Sequence, residues 1–477
     1  MNYRMIKNVL GWILLFETMF MALPLITAAI YGEREFFTFI MAMLICAAVG
    51  GLMLIGKPKS KTLYSRDGVL VVALSWIVLS VFGALPFYMS GAIPSYLDAL
   101  FETVSGFTTT GASILSSVED LPKSLIMWRS FTHWVGGMGV LVFVMAFLPL
   151  GGAYNMNIMK AESPGPSVSK LVPRVRTTAL ILYTIYIGLT VLQFVCLLFA
   201  KMSVFDAVNT AFATAGTGGF GIKNDSMGSY SSAVQIIVTV FMLIFSINFN
   251  SYYLVLRGKL KDALNGEVRM FLVIVVLAIT TITLNVRELF DTLGDALLHS
   301  SFAVASIIST TGFATVDFDL WFPFSKTIIV LLMFVGACAG STGGGFKVSR
   351  IMLLFKGLKR EMKKLLHPNK VELVTVDKRP VEHSTILAVG MYLVCYLMVF
   401  IFSSILLSLN SVSFTTNFTA VASCLNNIGP GLEAVGPTAN FGFFSPFSKV
   451  VLIFDMLAGR LELFPILLLF APATWKK

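Results

Sequence analysis

A short loop of small residues between long apolar runs is the feature that most constrains this chain. Residues 108–113 read Thr-Thr-Thr-Gly-Ala-Ser and follow a half-apolar segment, residues 97–107, that is too short to cross a bilayer. A loop at membrane depth is costly unless protein, water or an ion satisfies its backbone carbonyls. Ion-selectivity filters contain such loops, because rings of carbonyls replace the hydration shell of a cation.

The loop occurs in four copies along the chain. They read Thr-Thr-Thr-Gly, Thr-Gly-Gly-Phe, Thr-Thr-Gly-Phe and Asn-Ile-Gly-Pro, and their aligned glycines are Gly111, Gly219, Gly312 and Gly429. In this alignment Asp98 and Asp206 both stand 13 residues before their glycine. The spacing of about a hundred residues is that of a repeated domain and exceeds a solenoid unit. Four equivalent loops in one chain predict a single four-sided ring.

The composition excludes a soluble domain. The 477 residues are 56% hydrophobic and 13% charged, with a mean hydropathy of +0.84, and about 20 apolar residues suffice to span a bilayer. The net charge of +10 is concentrated in short connectors between apolar runs, as in cytoplasmic loops of membrane proteins, so we expect no nucleic-acid partner. The cysteines and histidines are scattered without a C-x-x-C pair, which predicts neither a metal site nor a disulfide framework.

We therefore expect an all-α polytopic membrane protein with four pseudo-repeated units around one pore. Each unit would contain a first span, a short pore helix, a filter loop and a second span, and an N-terminal two-helix hairpin would precede them. The second spans are expected near 124–150, 233–256, 325–346 and 448–470. The predicted boundaries are 1–60 for the hairpin and 61–160, 161–265, 266–370 and 371–477 for the units. Basic residues precede the first of ten spans and follow every second one, which places both termini in the cytoplasm and opens the loops outward.

Each short helix before a loop is expected to stop at mid-membrane. Asp98, Asp206 and Asp295 are candidate N-terminal caps, with Thr415 or Thr416 in the fourth unit. The negative end of each helix dipole would then point at the pore centre and favour a cation. Because the loops contain no ring of acids, main-chain carbonyls would be the ligands, which suits a weakly hydrated monovalent ion better than calcium or magnesium. The predicted filter residues are Thr109, Thr110, Gly111, Thr217, Gly218, Gly219, Thr310, Thr311, Gly312, Asn427, Ile428 and Gly429.

A glycine-rich segment, residues 336–347, interrupts the second span of the third unit. It reads Gly-Ala-Cys-Ala-Gly-Ser-Thr-Gly-Gly-Gly-Phe-Lys, which fails the phosphate-loop pattern because Phe346 follows Gly345 and no strand precedes it. Such a run cannot hold a stable membrane helix unless it lines a cavity. We predict a gate below the filter, formed by Gly336, Gly340, Ser341, Thr342, Gly343, Gly344, Gly345 and Lys347, together with Arg460.

Ionisable residues lie inside the first and the last apolar spans. Arg460 is in the last span, where a membrane arginine faces the bundle interior or water and finds a partner. Neither Asp455 nor Glu462 stands three or four residues from it, so a structural ion pair and a pore-facing charge that meters cations both stay open, and we favour the second. Glu17 in the first span is either functional or reaches the membrane interface.

Four spaced motifs match one known family. They are Thr-Thr-Thr-Gly at 108–111, Ser-Thr-Thr-Gly-Phe-Ala-Thr at 309–315, Ala-Gly-Ser-Thr-Gly-Gly-Gly-Phe-Lys at 339–347 and Asn-Asn-Ile-Gly-Pro-Gly at 426–431. On these motifs the chain resembles the TrkH/KtrB superfamily of potassium transporters. Its N-terminal hairpin is similar to the extra helix pair of the TrkH type, which the shorter KtrB form lacks.

The resemblance implies a fold, an ion and partners. The fold would be an M1–pore helix–M2 unit repeated four times, with the broken third M2 as an intramembrane gating loop and Arg460 as a pore-facing arginine. Potassium would be the transported ion and the only metal, in a homodimer embedded in the lipid bilayer of the bacterial cytoplasmic (inner) membrane. A cytosolic Trk-type regulatory subunit would bind ATP/ADP or NAD and dock on connector 347–379, and this chain itself would carry no cofactor.

The leading functional prediction is potassium uptake across the cytoplasmic membrane. The alternative is a sodium-permeable or cation-coupled symporter of the same fold. A glycine in all four loops resembles the potassium-selective members, although the glycine-rich second loop leaves its own filter register open. No enzyme is expected, because His133, His299, His367 and His383 have no arrangement that nominates a catalytic site.

Overall fold

Long apolar helices dominate the computed structural model, which describes residues 1–56, 65–139, 175–369 and 372–475. The first three helices form the predicted N-terminal hairpin: α1 (Tyr3–Phe20), α2 (Ala22–Tyr31) and α3 (Glu35–Leu54). α1 and α3 cross where Gly11 faces Gly50, and a Cβ added at either glycine would lie 2.9–3.0 Å from the carbonyl oxygen of the other. Small residues at this crossing therefore allow the two backbones to touch, as membrane helices commonly do.

The predicted first two units contain a long helix, a short helix and a second helix in that order. The first unit has α4 (Ser65–Gly83), α5 (Leu85–Met89), α6 (Tyr96–Phe107) and α7 (Lys123–Gly137). The second has α8 (Val175–Phe199), α9 (Val204–Ala215), α10 (Ser232–Phe245), α11 (Phe249–Leu256) and α12 (Leu260–Ala263). The predicted end of the first unit's second span, Leu150, and the boundaries at 60, 160 and 370 lie outside the described residues.

The third and fourth units follow the same order. The third has α13 (Gly266–Val286), α14 (Leu293–Ile308), α15 (Pro323–Val335) and α16 (Val348–Leu366), with 3-10 turns at Arg287–Leu289 and Phe318–Leu320. A two-residue hairpin follows, β1 (Thr375–Val376) antiparallel to β2 (Arg379–Pro380). The fourth has α17 (His383–Leu407), α18 (Phe414–Asn426), a 3-10 turn at Glu433–Val435, α19 (Pro446–Arg460), α20 (Phe464–Phe470) and α21 (Pro472–Trp475).

Membrane spans are numerous but not all continuous. Among the described residues six helices are long and apolar enough to cross a membrane, or up to seven if the bent pair α10 and α11 counts as one. The prediction of unbroken second spans through Leu256 and Phe470 is wrong. α10 and α11 meet at 93°, and α19 gives way to α20 through Glu462 and Leu463, which both have positive φ. Polar residues stand at both breaks, Ser246 and Asn248 at the first and Arg460 and Glu462 at the second. The runs on either side are apolar, so the sequence pattern suggested continuous spans.

The capping prediction for the short helices is wrong by three residues. The caps are hydroxyl side chains that accept from the backbone N–H three positions on: Ser95 from Asp98 at 3.4 Å, Ser203 from Asp206 at 3.1 Å, Thr292 from Asp295 at 3.1 Å and Ser413 from Thr416 at 3.2 Å. The three aspartates instead occupy the first turn, where a negative charge favours the positive end of the helix dipole. All four short helices thus begin in one way.

The fourth unit contacts the first through an ion pair. Lys449, in the first turn of α19, pairs with Asp98 in the first turn of α6, with Nζ 2.6 Å from Oδ1. The C-terminal halves of the four short helices are buried almost throughout, so their ends converge in the interior. This arrangement is consistent with four repeated units around one axis and brings the four loops together.

Candidate functional site

The four loops share one backbone conformation. The residue before each glycine donates its N–H to the carbonyl five positions earlier: Thr110 to Ser105, Gly218 to Ala213 and Thr311 to Ser306 at 2.9 Å each, and Ile428 to Ser423 at 3.0 Å. The residue before that one donates to the carbonyl three positions earlier, at 3.0–3.3 Å in all four loops. Each loop is therefore fastened to the end of its own short helix by the same two bonds.

Left-handed backbone alternates with ordinary backbone in every loop. Thr109, Thr217, Thr310 and Asn427 have φ of 55–60°, and the aligned glycines have φ of 73–103°. The residue between them has negative φ in each loop, and this alternation turns successive carbonyls toward one side. Left-handed threonine is rare and persists where the surroundings enforce it, which is frequent at functional sites. The second loop has the same register as the others, because Gly219 has positive φ and Gly218 does not.

The loops form a closed ring in chain order. A Cβ added to a ring glycine would fall within 3.0 Å of a carbonyl oxygen of the next loop: from Gly111 to Gly218, from Gly219 to Thr311, from Gly312 to Ile428 and from Gly429 back to Thr110. The four glycines also line one cavity, together with residues that follow them in each loop. The carbonyls of Thr110, Gly218, Thr311 and Ile428 thus hold equivalent places in the ring, which we call the carbonyl ring.

All twelve predicted filter residues lie in the four loops that form this ring, but their side chains differ. The Asn427 amide donates to the Thr110 hydroxyl at 3.0 Å and to the Met456 carbonyl at 2.9 Å. The Thr310 hydroxyl accepts the N–H of Gly344 at 2.6 Å. The ring therefore has four-fold likeness in its backbone, whereas its side chains make different contacts in different loops.

The glycine-rich segment lies against the third and fourth loops. A Cβ added to Gly343 would lie 2.8 Å from the Ser309 carbonyl oxygen, and one added to Gly344 would lie 2.5 Å from that of Asn426. These partners precede the ring glycines in their loops, whereas the cavity is lined by residues that follow them. The segment and the cavity thus lie at opposite ends of the carbonyl ring.

Several elements hold the glycine-rich segment in place. One carboxylate oxygen of Glu267 on α13 accepts the N–H groups of Ala339 at 2.7 Å and of Ser349 at 3.1 Å. The break between α10 and α11 contributes the Ser246 carbonyl, which accepts the Cys338 N–H at 3.0 Å. The Lys347 side chain, itself buried, donates to the Gly343 carbonyl within the segment. The break in α10 and α11 therefore accommodates the segment.

Arg460 joins this segment to the first unit. Its guanidinium donates to the Thr342 carbonyl at 2.9 Å and to the Gly137 carbonyl at 2.6 Å, and also to Gly136. Of the two acids near it in sequence, Glu462 pairs with Arg350 and Asp455 accepts the Ser403 hydroxyl at 2.6 Å. The charge therefore lies among carbonyls at the end of the ring where the glycine-rich segment packs.

Sequence reasoning missed three buried residues of the first unit, Glu102, Arg129 and His133. His133 bridges the end of α6 and the second loop: Nδ1 donates to the Gly106 carbonyl at 2.7 Å, and Nε2 accepts the Phe220 N–H at 3.2 Å. Arg129, one turn earlier on α7, pairs with Glu102 on α6. Charged and polar residues in two apolar helices were the available signal, because a membrane helix carries them only where a partner exists.

An apolar helical bundle around a ring of loop carbonyls defines a polytopic membrane transport protein and not an enzyme. The family model described as "TrkH: Cation transport protein" matches residues 35–477. The chain therefore belongs to the TrkH family, which confirms the resemblance inferred from its motifs.

The similar proteins match over their whole length. The Trk system potassium uptake protein TrkH of Salmonella typhimurium is 36% identical over 485 residues, and 100% of each chain is covered. The protein of that name from Escherichia coli K12 is also 36% identical over 485 residues with full coverage. The crystal structure of the potassium transporter TrkH from Vibrio parahaemolyticus is similar with a TM-score of 0.90, 33% identity and 100% coverage of both chains. These matches confirm the predicted all-α polytopic membrane fold.

Proposed function

We propose that this chain takes up potassium across the bacterial cytoplasmic membrane through the carbonyl ring. The observation that carries the proposal is the cyclic order of close approaches, in which each ring glycine abuts a carbonyl of the next loop. A closed ring of backbone oxygens can replace the water around a cation. The names of the relatives, which are potassium uptake proteins, support the choice of ion.

The chemistry of the ring favours a monovalent cation. Its predicted ligands are neutral carbonyls, whereas calcium draws carboxylates and magnesium retains several waters. The four short helices end at Phe107, Ala215, Ile308 and Asn426, immediately before the loops. Their partly negative C-terminal ends stabilise a cation at the centre without binding it directly. Sodium permeation or coupled symport is the alternative that the ion competition below addresses.

The glycine-rich segment is proposed as the gate. It packs against the base of the third and fourth loops, and the fixed positive charge of Arg460 lies beside it. A cation leaving the ring on this side would meet a charge of its own sign, which raises the barrier to passage. Opening would require that the segment give up its bonds to Glu267, Ser246 and Thr310.

The remaining proposals concern assembly. A cytosolic Trk-type regulatory subunit carrying ATP/ADP or NAD would dock on connector 347–379, where α16 exposes Lys359 and Lys364. This chain would carry no cofactor of its own and would function as a homodimer with both termini in the cytoplasm. Sequence resemblance and the positive-inside pattern support these proposals.

Rubidium-86 uptake into sealed vesicles that contain the purified chain tests the function. We expect uptake that excess potassium abolishes and excess sodium spares. A variant lacking residues 340–345 should conduct without a partner protein. If the intact chain shows no uptake, this variant distinguishes a closed gate from a wrong assignment of function. Abolition by sodium would favour the alternative, and silence of the folded deletion variant would contradict the proposal.

A further inference from the structure

A buried ion pair lies directly behind the first loop. Glu102 on α6 is 0% exposed and Arg129 on α7 is 2% exposed, and the guanidinium Nη2 lies 2.8 Å from Oε1 of the carboxylate. Nε of Arg129 donates to the same oxygen at 2.8 Å. This charge-assisted hydrogen bond, together with the close contact of Nη2, fixes both the distance and the orientation of the two groups.

Each partner of the pair also holds a loop just past its ring glycine. The Glu102 carboxylate accepts the Ser113 hydroxyl at 3.0 Å and the Ile114 N–H at 3.0 Å, which fastens the exit of the first loop. Arg129 donates to the Gly221 carbonyl at 3.2 Å and stacks 4.0 Å from the Phe220 ring centre, which fastens the exit of the second loop. The pair therefore ties neighbouring loops together beside the carbonyls of the ring.

The other units have no counterpart of this pair. At the same distance before its glycine as Glu102, each other unit has Thr210, Ala303 or Ala420. Arg129 is the seventh residue of its helix, and the seventh residue of the second helix in each other unit is Val238, Ile329 or Leu452. An ion pair that the repeated fold itself required would recur in each unit. Its restriction to the junction of the first and second loops indicates a task specific to that part of the ring.

Stability alone is a poor reason for such a pair. Removing two charges from water costs several kcal/mol per ion, and well-packed apolar residues are often at least as stabilising as a buried pair. What the pair provides is a fixed geometry, because breaking one bond leaves a charge buried and uncompensated. A ring that distinguishes cations by the placement of its oxygens needs such a constraint.

We infer that Glu102 and Arg129 are positioning residues that set the spacing between the Thr110 and Gly218 carbonyls and thereby the preference for potassium over sodium. The inference rests on the proposed function, because it concerns the same ring. Neither residue need touch the ion. Both act through the loop exits, which lie two to four residues beyond those carbonyls in the chain.

Ion-dependent thermal unfolding of the full chain in detergent tests this inference whether or not the gate is open. Melting temperature is measured against potassium or sodium chloride, with choline chloride holding the ionic strength constant. A bound ion raises the melting temperature, and the half-saturating concentration reports its affinity. The variants are Glu102→Gln and Arg129→Lys, and Ser113→Ala removes the hydroxyl that bonds to Glu102, to Arg129 and to the Leu115 N–H. The matched control is the double variant Arg287→Gln with Glu288→Gln, two exposed neighbours of opposite charge in the 3-10 turn after α13.

Positioning predicts that Glu102→Gln and Arg129→Lys each lower the potassium-to-sodium affinity ratio about tenfold, which corresponds to about 1.4 kcal/mol. Ser113→Ala should lower it about threefold, since it removes the hydroxyl contacts to the pair but leaves the pair itself and the Ile114 N–H bond to Glu102 in place. The control should keep the wild-type ratio. A lower melting temperature with an unchanged ratio in all three variants would overturn the inference and leave the proposed function intact. A wild-type chain that potassium does not stabilise would overturn both.

Discussion

Replacing each ring glycine by alanine should weaken potassium binding, and the structure predicts how the four variants rank. All four positions have φ between 73° and 103°, where any side chain adds about 1–2 kcal/mol of backbone strain. The four differ in what the new methyl group meets. At Gly111, Gly219 and Gly312 the carbonyl of the next loop would have to move by about 1 Å to regain a 3.0 Å separation, whereas at Gly429 about 0.2 Å suffices.

This difference sets the expected magnitude. A displacement of about 1 Å in a positioned group typically costs about 100-fold where function depends on geometry. We therefore expect the first three variants to raise the half-saturating potassium concentration about 100-fold and Gly429→Ala less than about tenfold. The strain of positive φ is common to all four, so the ranking isolates the contact between loops.

The assay is the potassium-dependent rise in melting temperature, followed by rubidium-86 uptake for each variant that folds. Gly390→Ala is the matched control, because an added Cβ there meets nothing within 4 Å and alanine favours a helix more than glycine does. A wild-type potassium affinity in Gly312→Ala would refute the reasoning. So would a larger loss in Gly429→Ala than in the other three.

Three further changes test the contacts around the ring. Thr310→Val should raise rubidium-86 uptake in the absence of any partner, because the buried Gly344 N–H loses its acceptor at a cost of about 1–3 kcal/mol. Hydrogen exchange of the backbone at residues 340–345 should become faster. Thr310→Ser keeps the hydroxyl and should preserve the wild-type values. Arg460→Gln should also raise rubidium-86 uptake, since it removes a charge and bonds that hold the gate, and an equal uptake by Arg460→Gln and wild type would count against the gate. His133→Ala should lower the melting temperature even without potassium, because the Phe220 N–H and the Gly106 carbonyl lose their hydrogen-bond partner. An unchanged melting temperature would argue that water replaces the imidazole.

The ring was predictable from sequence because its physical requirement selects particular residues. Positive φ recurs at two positions of each loop, and at the second the next loop also approaches too closely for a side chain. Glycine meets both requirements, so Gly111, Gly219, Gly312 and Gly429 recur at a readable spacing. The glycine-rich segment was readable for a similar reason, since glycine is the poorest helix former after proline. Apolar runs and basic connectors sufficed for the membrane class.

What could not be predicted depends on contacts between distant residues. Glu102 and Arg129 stand 27 positions apart, and nothing in either local pattern reveals that one faces the other. The break between α10 and α11 forms where Ser246 meets the glycine-rich segment, which lies far along the chain. The true caps were overlooked because an aspartate three residues inside the helix was an equally acceptable choice by residue type.

The most direct test of the carbonyl ring as an ion site is anomalous diffraction from crystals of the full chain grown in rubidium chloride. Rubidium stands in for potassium and is located independently of the protein density. The account predicts a peak on the axis of the ring, within ligand distance of the carbonyl oxygens of Thr110, Gly218, Thr311 and Ile428. An empty ring with rubidium bound instead by side chains elsewhere in the membrane region would contradict it.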